Sequence, residues 1–323
     1  MREIEYREAI REACIEEMDR DPKVFLIGED VTVYGGAFRA YKGLFEKYGP
    51  DRVVNTPISE QAIVGAAIGS ALTGYRPVAE IMFIDFCTLA MDQIVNQAAK
   101  IKFMTGDALN VPMVLRTQGG AGRGIAAQHS QSLEAWFYHI PGLKVVMPAT
   151  PYDVKGLLKT SIRDNDPIIF IEHKMLYLNK GPVPEEEYLI PLGVADIKRE
   201  GSDVTIFAYS NMLIKSLEAA EDLAKEGISC EVIDPRTLVP LDIKTIINSL
   251  KKTNKLVVVS EAVERGSVAS DIISIINDKA FDYLDVPIKR VCGLNTAIPY
   301  NSKLEQACVP SKESIIKAVK EIL

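Results

Sequence analysis

Short apolar runs alternate with stretches of helical periodicity along most of the chain, and this alternation constrains the fold more than any other feature. In the first half, the runs predicted to be buried strands are 23–28, 76–81, 111–116, 143–148 and 167–172. The stretches with helical spacing are 7–19, 60–73, 86–104 and 151–163. Strand–helix alternation of this kind predicts an α/β protein whose mainly parallel sheet is covered on both faces.

The composition changes in the middle of the chain. Residues 178–193 are rich in proline and carry an acidic triplet, which is typical of a linker or crossing segment. Beyond it the predicted strands are 203–210, 228–234, 255–261 and 286–293, and the predicted helices are 212–226, 242–251, 266–280 and 311–323. The sequence therefore predicts two domains, 1–190 and 191–323.

Charge and composition narrow the class of protein. Hydrophobic residues make up 47% of the 323 residues and charged residues 25%, which is typical of a globular protein with a substantial core. A net charge of −7 with both signs mixed argues against nucleic acid or an anionic membrane as the main partner. No apolar run approaches the roughly 20 residues that span a bilayer. Five scattered cysteines without a CxxC motif, and no signal peptide, predict reduced thiols in a cytoplasmic protein.

One carboxylate, Glu60, opens a predicted helix whose following residues are mostly small. An acid in the first turn favours a helix by about 0.3–1 kcal/mol, so Glu60 can be an ordinary helix start with Ser59 as its cap. The small residues after it are Gly65, Ala66, Ala67, Gly69, Ser70 and Ala71. They allow another backbone to approach closely and indicate an interface with another subunit. An acid at the edge of such an interface is also a place for a ligand.

Two features follow the predicted strand 111–116. The glycine-rich segment GGAGRG, residues 119–124, lacks the spacing of the dinucleotide fingerprint, so it is either a flexible loop or a ligand loop at the end of a strand. The segment AAQHSQS brings His129, one of three histidines, onto the same loop. A lone histidine is more often structural than catalytic, and no second histidine or cysteine stands at metal-ligand spacing.

Aromatic residues end the predicted strand 76–81. In EIMFIDF, Met82, Phe83 and Phe86 fit an ordinary core, although aromatic side chains at the carboxyl end of a strand also stack on flat ligands. The residues by themselves leave both interpretations open.

Several longer motifs, taken together, resemble one enzyme family. They are NTPISE, RPVAEIMFIDF, DQIVNQAAK, AAQHSQS, PGLKVV and GLLKTSIRDNDP, followed by SCEVIDPRTLVPLD and KRVCG. The chain is similar to the beta subunits of thiamine-diphosphate-dependent 2-oxo acid dehydrogenases. These are the decarboxylating first components of the pyruvate, branched-chain 2-oxo acid and acetoin dehydrogenase complexes.

This resemblance implies a fold, an assembly and a reaction. It implies an N-terminal pyrimidine-binding α/β domain and a C-terminal transketolase-like α/β domain. It implies a heterotetramer of two alpha and two beta subunits that binds thiamine diphosphate between unlike subunits. The enzyme would decarboxylate a 2-oxo acid and reductively acylate the lipoyl group of an acyltransferase core. The GDG motif that binds Mg²⁺ and the diphosphate is absent, with Gly106-Asp107-Ala108 as the nearest string, so the alpha subunit is expected to supply it.

The resemblance also implies site residues. Glu60, in PISE, corresponds to the acid that hydrogen-bonds the pyrimidine ring nitrogen and favours the proton-accepting tautomer of the cofactor. Phe86 would stack on the aminopyrimidine, and Met82 would line the pocket. His129, in AAQHSQ, corresponds to the histidine that stabilises the bound 2-oxo acid and assists acyl transfer to lipoamide.

A structural potassium ion occurs in some members of the family. The corresponding positions here supply main-chain oxygens and an acid: Met113, Ser161, Ile162, Asp164 and Asp166. The same residues fit equally well an acidic turn in which aspartate caps the backbone.

The motifs leave the substrate, the core partner and the role of Arg123 open. Residues 31–49 look pyruvate-like, whereas QAIVGAAIGSALTG and GISCEVIDPRT look closer to acetoin and branched-chain relatives. An acetoin dehydrogenase beta subunit is therefore the first alternative. A fragment of a transketolase-type enzyme is disfavoured by the chain length. A non-catalytic assembly subunit is disfavoured by the intact PISE and AAQHSQ motifs.

Overall fold

The computed structural model describes residues 1–323 and divides them into two compact units. The first unit comprises Met1–Gly119 and Trp136–Leu192, and the second comprises Gly120–Ala135 and Gly193–Leu323. The loop 120–135 thus belongs to the second unit although it lies in the first half of the chain. No pattern in the local sequence indicates that this loop belongs to the second unit. The domain limits 1–190 and 191–323 stay a prediction.

The first unit is built around a parallel sheet. Its strands are β1 (Arg2–Glu5), β2 (Val24–Gly28), β3 (Val53–Asn55), β4 (Arg76–Ile81), β5 (Val114–Gly119), β6 (Lys144–Val146), β7 (Ile168–His173) and β8 (Lys180–Val183). Six of them are parallel neighbours in the order β6-β7-β5-β4-β2-β3, and β1 pairs antiparallel with β8. Because β2 and β7 are buried along their whole length, their sequences, VFLIG and IIFIEH, are mostly apolar. The predicted α/β class is confirmed.

The helices of this half follow local signals. They are α1 (Tyr6–Arg20), α2 (Leu44–Tyr48), α3 (Glu60–Leu72), α4 (Ile101–Met104), α5 (Glu134–Tyr138) and α6 (Pro151–Arg163). Helix α6 begins where predicted because Thr150 accepts a hydrogen bond from the backbone N–H of Asp153 at 3.1 Å. Pro151 then occupies the first helical position, where its missing N–H costs nothing.

The segment between β4 and β5 differs from the single helix predicted over 86–104. It forms a 3-10 turn over Ile84–Ala90, a π-helical turn over Gln93–Ala98 and the short α4. Ile84, Cys87 and Ala90 are fully buried, a spacing of three that a 3-10 turn places on one face. Asp85 lies inside the 3-10 turn and is itself buried. Burial of these three side chains in the first unit therefore outweighs the helical periodicity that predicted one continuous helix.

The second unit has its own sheet. The strands of the second unit are β9 (Asp196–Arg199), β10 (Val204–Ala208), β11 (Cys230–Asp234), β12 (Thr237–Val239), β13 (Leu256–Val263) and β14 (Lys289–Gly293), and all except β12 belong to this sheet. The sheet order is β14-β13-β10-β11-β9, parallel except for the antiparallel edge strand β9. Its helices are α7 (Asn211–Lys225), α8 (Ile243–Thr253), α9 (Val268–Ala280), α10 (Ser302–Cys308) and α11 (Lys312–Lys320). The sequence predicted four of these strands and four of these helices, and it missed β9, β12 and the seven-residue α10.

Two further expectations are met by the structure. All five cysteines are free thiols, and burial raises the pKa of Cys14 and of Cys87 to about 12, so neither is a ready nucleophile. None of the helices combines the length and the hydrophobicity that crossing a bilayer requires.

Candidate active site

Glu60 is the first residue of α3, and its side chain is half-buried. Ser59 stands at the N-cap position, but its side chain makes no capping hydrogen bond, so the expected cap is not formed. The Glu60 carboxylate makes no hydrogen bond or ion pair within the chain. A half-buried carboxylate without a partner is costly unless a ligand or water completes it, and it is therefore available to a bound molecule.

The surroundings of Glu60 are acidic and apolar. Helix α3 packs against the turn Ile84–Ala90, which carries Phe86. Burial raises the pKa of Cys87 in that turn, and the charge of Glu60 adds to the rise. Burial also raises the pKa of Glu29, just after β2, with further contributions from the charges of Asp30 and Glu60. The structure therefore brings Glu60 together with the Phe86 turn.

Phe86 belongs to a chain of aromatic rings. It meets Phe83 edge-on with centroids 6.1 Å apart, and Phe83 meets Phe38 in the same way at 6.2 Å. Phe38 stacks on Tyr177 at 4.5 Å and 25°. Met82 follows the carboxyl end of β4 and, like Phe86, is half-buried. Met82 and Phe86, the two predicted pocket residues, thus follow the carboxyl end of β4. Open α/β sheets bind their ligands at the carboxyl ends of their strands.

A buried charge network underlies this region, and the sequence reasoning missed it. Arg116 is fully buried and donates to both carboxylate oxygens of Glu172, each at 2.6 Å. It also donates to Glu80 at 2.8 Å and to the hydroxyl of Tyr41. The hydroxyl of Tyr177 donates to Glu172, which links the network to the aromatic chain. The signal that could have found it is a charged residue inside each of three neighbouring strands: Glu80 in β4, Arg116 in β5 and Glu172 in β7.

His129 lies in the second unit, in a 3-10 turn over Ala127–His129, and is half-buried. Its backbone N–H donates to the carbonyl of Ala126 at 3.3 Å. Ala126 has φ 65° and ψ −172°, a conformation that L-residues rarely adopt and that the surroundings must enforce. Strain of this kind three residues before the candidate histidine indicates a loop held in one defined shape.

The glycine-rich segment is anchored by carboxylates of its own chain. The N–H groups of Gly122 and Gly124 donate to the two oxygens of Glu305 at 2.8 and 3.0 Å. The N–H of Ala121 donates to Glu261 at 2.7 Å. Successive amides that converge on one anion form a nest of the kind that binds phosphate elsewhere. Because these amides already bind carboxylates, the segment is not a free phosphate cradle, and exposed Arg123 keeps an open role.

The residues of the predicted potassium site lie around the turn between α6 and β7: Met113, Ser161, Ile162, Asp164 and Asp166. The main-chain oxygens of the first four of these residues have protein donors. The N–H of Ile168 donates to Met113 at 3.0 Å, and that of Asp164 donates to Ser161 at 3.3 Å. Arg76 donates to the carbonyls of Ile162 at 3.0 Å and Asp164 at 2.9 Å.

Two lysines face the acidic side chains of the same turn. Lys102 binds Asp166 at 2.6 Å, and Lys144 lies 2.7 Å from Asp164 and 3.0 Å from Asp166. Burial alone would raise the pKa of Asp166, but the hydrogen bonds from Lys102 and Lys144 outweigh it, so the pKa is lowered. The turn is therefore neutralised by side-chain cations.

Comparison with family models assigns the two halves of the chain. Residues 2–180 match the family "Transketolase, pyrimidine binding domain", and residues 193–315 match "Transketolase, C-terminal domain".

Similar proteins extend over the whole chain. The pyruvate dehydrogenase E1 component subunit beta of Gracilaria tenuistipitata var. liui is 48% identical, covering 100% of both chains. The acetoin:2,6-dichlorophenolindophenol oxidoreductase subunit beta of Bacillus subtilis (strain 168) is 48% identical, covering 100% of this chain and 98% of its own. A pyruvate dehydrogenase E1 subunit beta of Dictyostelium discoideum, named mitochondrial, is 45% identical over 99% and 91%.

A solved structure shares the fold. The inactive beta4 tetramer of a split-gene transketolase superimposes with a TM-score of 0.82 at 23% identity, covering 99% of this chain and 98% of its own.

Proposed function

Because the chain belongs to the family of beta subunits that includes those of pyruvate dehydrogenase E1 and of the acetoin oxidoreductase, we propose that it forms half of a thiamine-diphosphate-dependent 2-oxo acid dehydrogenase. The other half would be an alpha subunit, two of each forming a heterotetramer. The assembled enzyme would decarboxylate a 2-oxo acid and pass the acyl group to the lipoyl group of an acyltransferase core. The observation that carries this proposal is the unpartnered, half-buried carboxylate of Glu60 beside the Phe86 turn.

The residues around Glu60 fit an aminopyrimidine ring. Glu60 offers a hydrogen-bond acceptor with no partner of its own, and Phe86 and Met82 offer half-buried apolar surface at the end of β4. Phe86 would stack on the ring, and Met82 would line the pocket. Glu60 would share a proton with a ring nitrogen and hold the ring in its proton-accepting form. Bound thiamine diphosphate would supply the nucleophilic carbon and the electron sink for decarboxylation.

The chain's own sequence supports a division of the site between subunits. It lacks the GDG motif that binds Mg²⁺ and the diphosphate, so these are assigned to the alpha subunit. Potassium at Met113, Ser161, Ile162, Asp164 and Asp166 stays a prediction. It gains no support from the contacts there, because Arg76, Lys102 and Lys144 already supply positive charge. The cytoplasmic location also stays a prediction.

Reconstitution with the alpha subunit tests the proposal directly. We expect the pair to bind thiamine diphosphate and to decarboxylate one of pyruvate, 3-methyl-2-oxobutanoate or 4-methyl-2-oxopentanoate, with either subunit alone inactive. Acetoin cleavage is the second candidate, because the acetoin and pyruvate relatives are both 48% identical. The measurement is the rate of reduction of an artificial acceptor with each of the four substrates. A pair that binds no cofactor would instead be an assembly module.

His129 is assigned to stabilising the bound substrate and to acyl transfer. A variant that lacks this histidine distinguishes these steps from decarboxylation. We expect His129→Ala to lower reductive acylation of a lipoyl domain by about 100-fold, within the range for loss of one proton-transfer group. The exposed His139→Ala serves as the matched control and should retain wild-type rates. If His129→Ala acylates lipoyl domains at the wild-type rate, this histidine is structural.

A further inference from the structure

Side chains of the second unit hold the loop that carries His129 near both of its ends. Near its start, Glu261 and Glu305 accept three backbone N–H groups of residues 121–124. Near its end, the hydroxyl of Tyr209 donates to Glu134 at 2.9 Å and lies 2.7 Å from that of Ser260. The loop is therefore fixed at both ends, with His129 between the anchors.

Glu305 is the strongest of these anchors by its chemistry. Its side chain is only 2% exposed, so the carboxylate would be costly to bury without donors. Both of its oxygens accept amide hydrogens of the loop, from Gly122 and Gly124. Hydrogen bonds to an ionised acceptor are about twice as strong as neutral ones. The contact therefore stabilises the loop and the buried charge together.

The backbone geometry of the loop depends on this contact. Gly122 and Gly124 have φ of 109° and 64°, which turns their N–H groups toward one point. A Cβ added to Gly124 would meet its nearest neighbour, the carbonyl of Tyr300, at an ordinary 3.6 Å. Backbone conformation, and not lack of space, therefore requires glycine there. Ala126, two residues after Gly124, has a strained backbone conformation, which persists only if surrounding contacts hold it in place.

We propose that Glu305, with Glu261, is a positioning residue that clamps the loop 120–135 and thereby sets the place of His129. Three contacts connect Glu305 to His129. Glu305 fixes Gly122 and Gly124, and these two glycines fix the strained turn at Ala126. The turn in its place orients His129. This inference rests on the proposed function for its catalytic consequence, but the clamp itself is a structural claim that can be tested separately.

The test uses the full chain assembled with its alpha subunit and compares Glu305→Gln, Glu305→Ala and the control Gln306→Ala. Gln306 is the next residue on the same helix and is exposed. Hydrogen exchange of the peptide covering 119–135 reports the clamp. We expect exchange about 100-fold faster in Glu305→Ala and about tenfold faster in Glu305→Gln, which keeps one acceptor oxygen. Gln306→Ala should exchange like the wild type.

The steady-state kinetics of the same variants test whether Glu305 positions His129. We expect kcat for lipoyl acylation to fall at least about tenfold in Glu305→Ala, with a smaller change in the KM for the 2-oxo acid, because a small displacement of a catalytic group lowers the rate more than it weakens binding. Glu305→Gln should recover part of this loss. If Glu305→Ala does not fold, the isosteric Glu305→Gln decides both measurements.

The outcomes separate the two proposals. Loop exchange in the Glu305 variants equal to that in Gln306→Ala would overturn the clamp, whatever His129 does. Faster exchange with wild-type kcat, in an enzyme that His129→Ala inactivates, would overturn positioning. If His129→Ala is fully active, the proposed role of His129 fails, and faster exchange then still supports the clamp.

Discussion

Replacing Glu60 by glutamine is expected to lower decarboxylation by the assembled enzyme at least about 100-fold while leaving folding and assembly intact. Glutamine keeps the size of the side chain and can still form a hydrogen bond, but it cannot exchange a proton with a ring nitrogen at neutral pH. Since Glu60 has no ion pair or hydrogen bond within the chain, no structural contact is lost. The measurement is the decarboxylation rate at saturating cofactor, with assembly checked by gel filtration.

The neighbouring acid provides the control for this prediction. Glu29 lies close enough for the charge of Glu60 to contribute to its raised pKa, so Glu29→Gln removes a similar charge from the same region. We expect Glu29→Gln to retain most of the activity. Equal losses in both variants would mean that the general acidity of the region matters and not a hydrogen bond between Glu60 and the ring. A fully active Glu60→Gln enzyme would refute the assignment of Glu60.

Replacing Arg116 by methionine is expected to destabilise the chain by about 3–5 kcal/mol, the cost of removing one partner from a buried ion pair. Arg116 is the cation that Glu80 and Glu172 contact, and all three side chains are at most 4% exposed. Arg116→Lys should recover little, because an ammonium group cannot bind Glu172 through two parallel hydrogen bonds. The measurement is the midpoint of urea unfolding followed by circular dichroism.

The pH dependence of this loss follows from the acids that remain. Burial already raises the pKa of Glu80 with Arg116 present. Without the cation Glu80 should bind its proton more tightly still in the folded state, so the destabilisation should be smaller at mildly acidic pH than at neutral pH. The triple variant with Glu80→Gln and Glu172→Gln should regain part of the stability.

A surface ion pair is the matched control for Arg116. Arg11 pairs with Glu8 one turn away on α1, with both side chains about one-third exposed. Exposed pairs contribute about 0–1 kcal/mol, so Arg11→Met should shift the unfolding midpoint little. If Arg116→Met were as mild as Arg11→Met, the buried network would not be what holds β4, β5 and β7 together.

The sequence by itself determined the elements whose causes are local. Strands β2, β4 and β7 were predicted to within about one residue, since strands covered on both faces are rich in apolar residues. Helix α6 was predicted with its observed bounds because its cap and its first-turn proline lie next to each other in the chain. The motifs around Glu60, Phe86 and His129 named the candidate site residues, but only through their resemblance to a family.

Only the tertiary structure decided how those residues are held. It replaced the helix predicted over 86–104 by a 3-10 and a π turn, because burial of one face outweighed helical propensity. It joined Arg116 to acids 36 and 56 residues away, and it fixed the loop before His129 by carboxylates 140 and 183 residues further along. Hydrogen bonds across such separations impose no periodicity on the sequence, so no local pattern could reveal them.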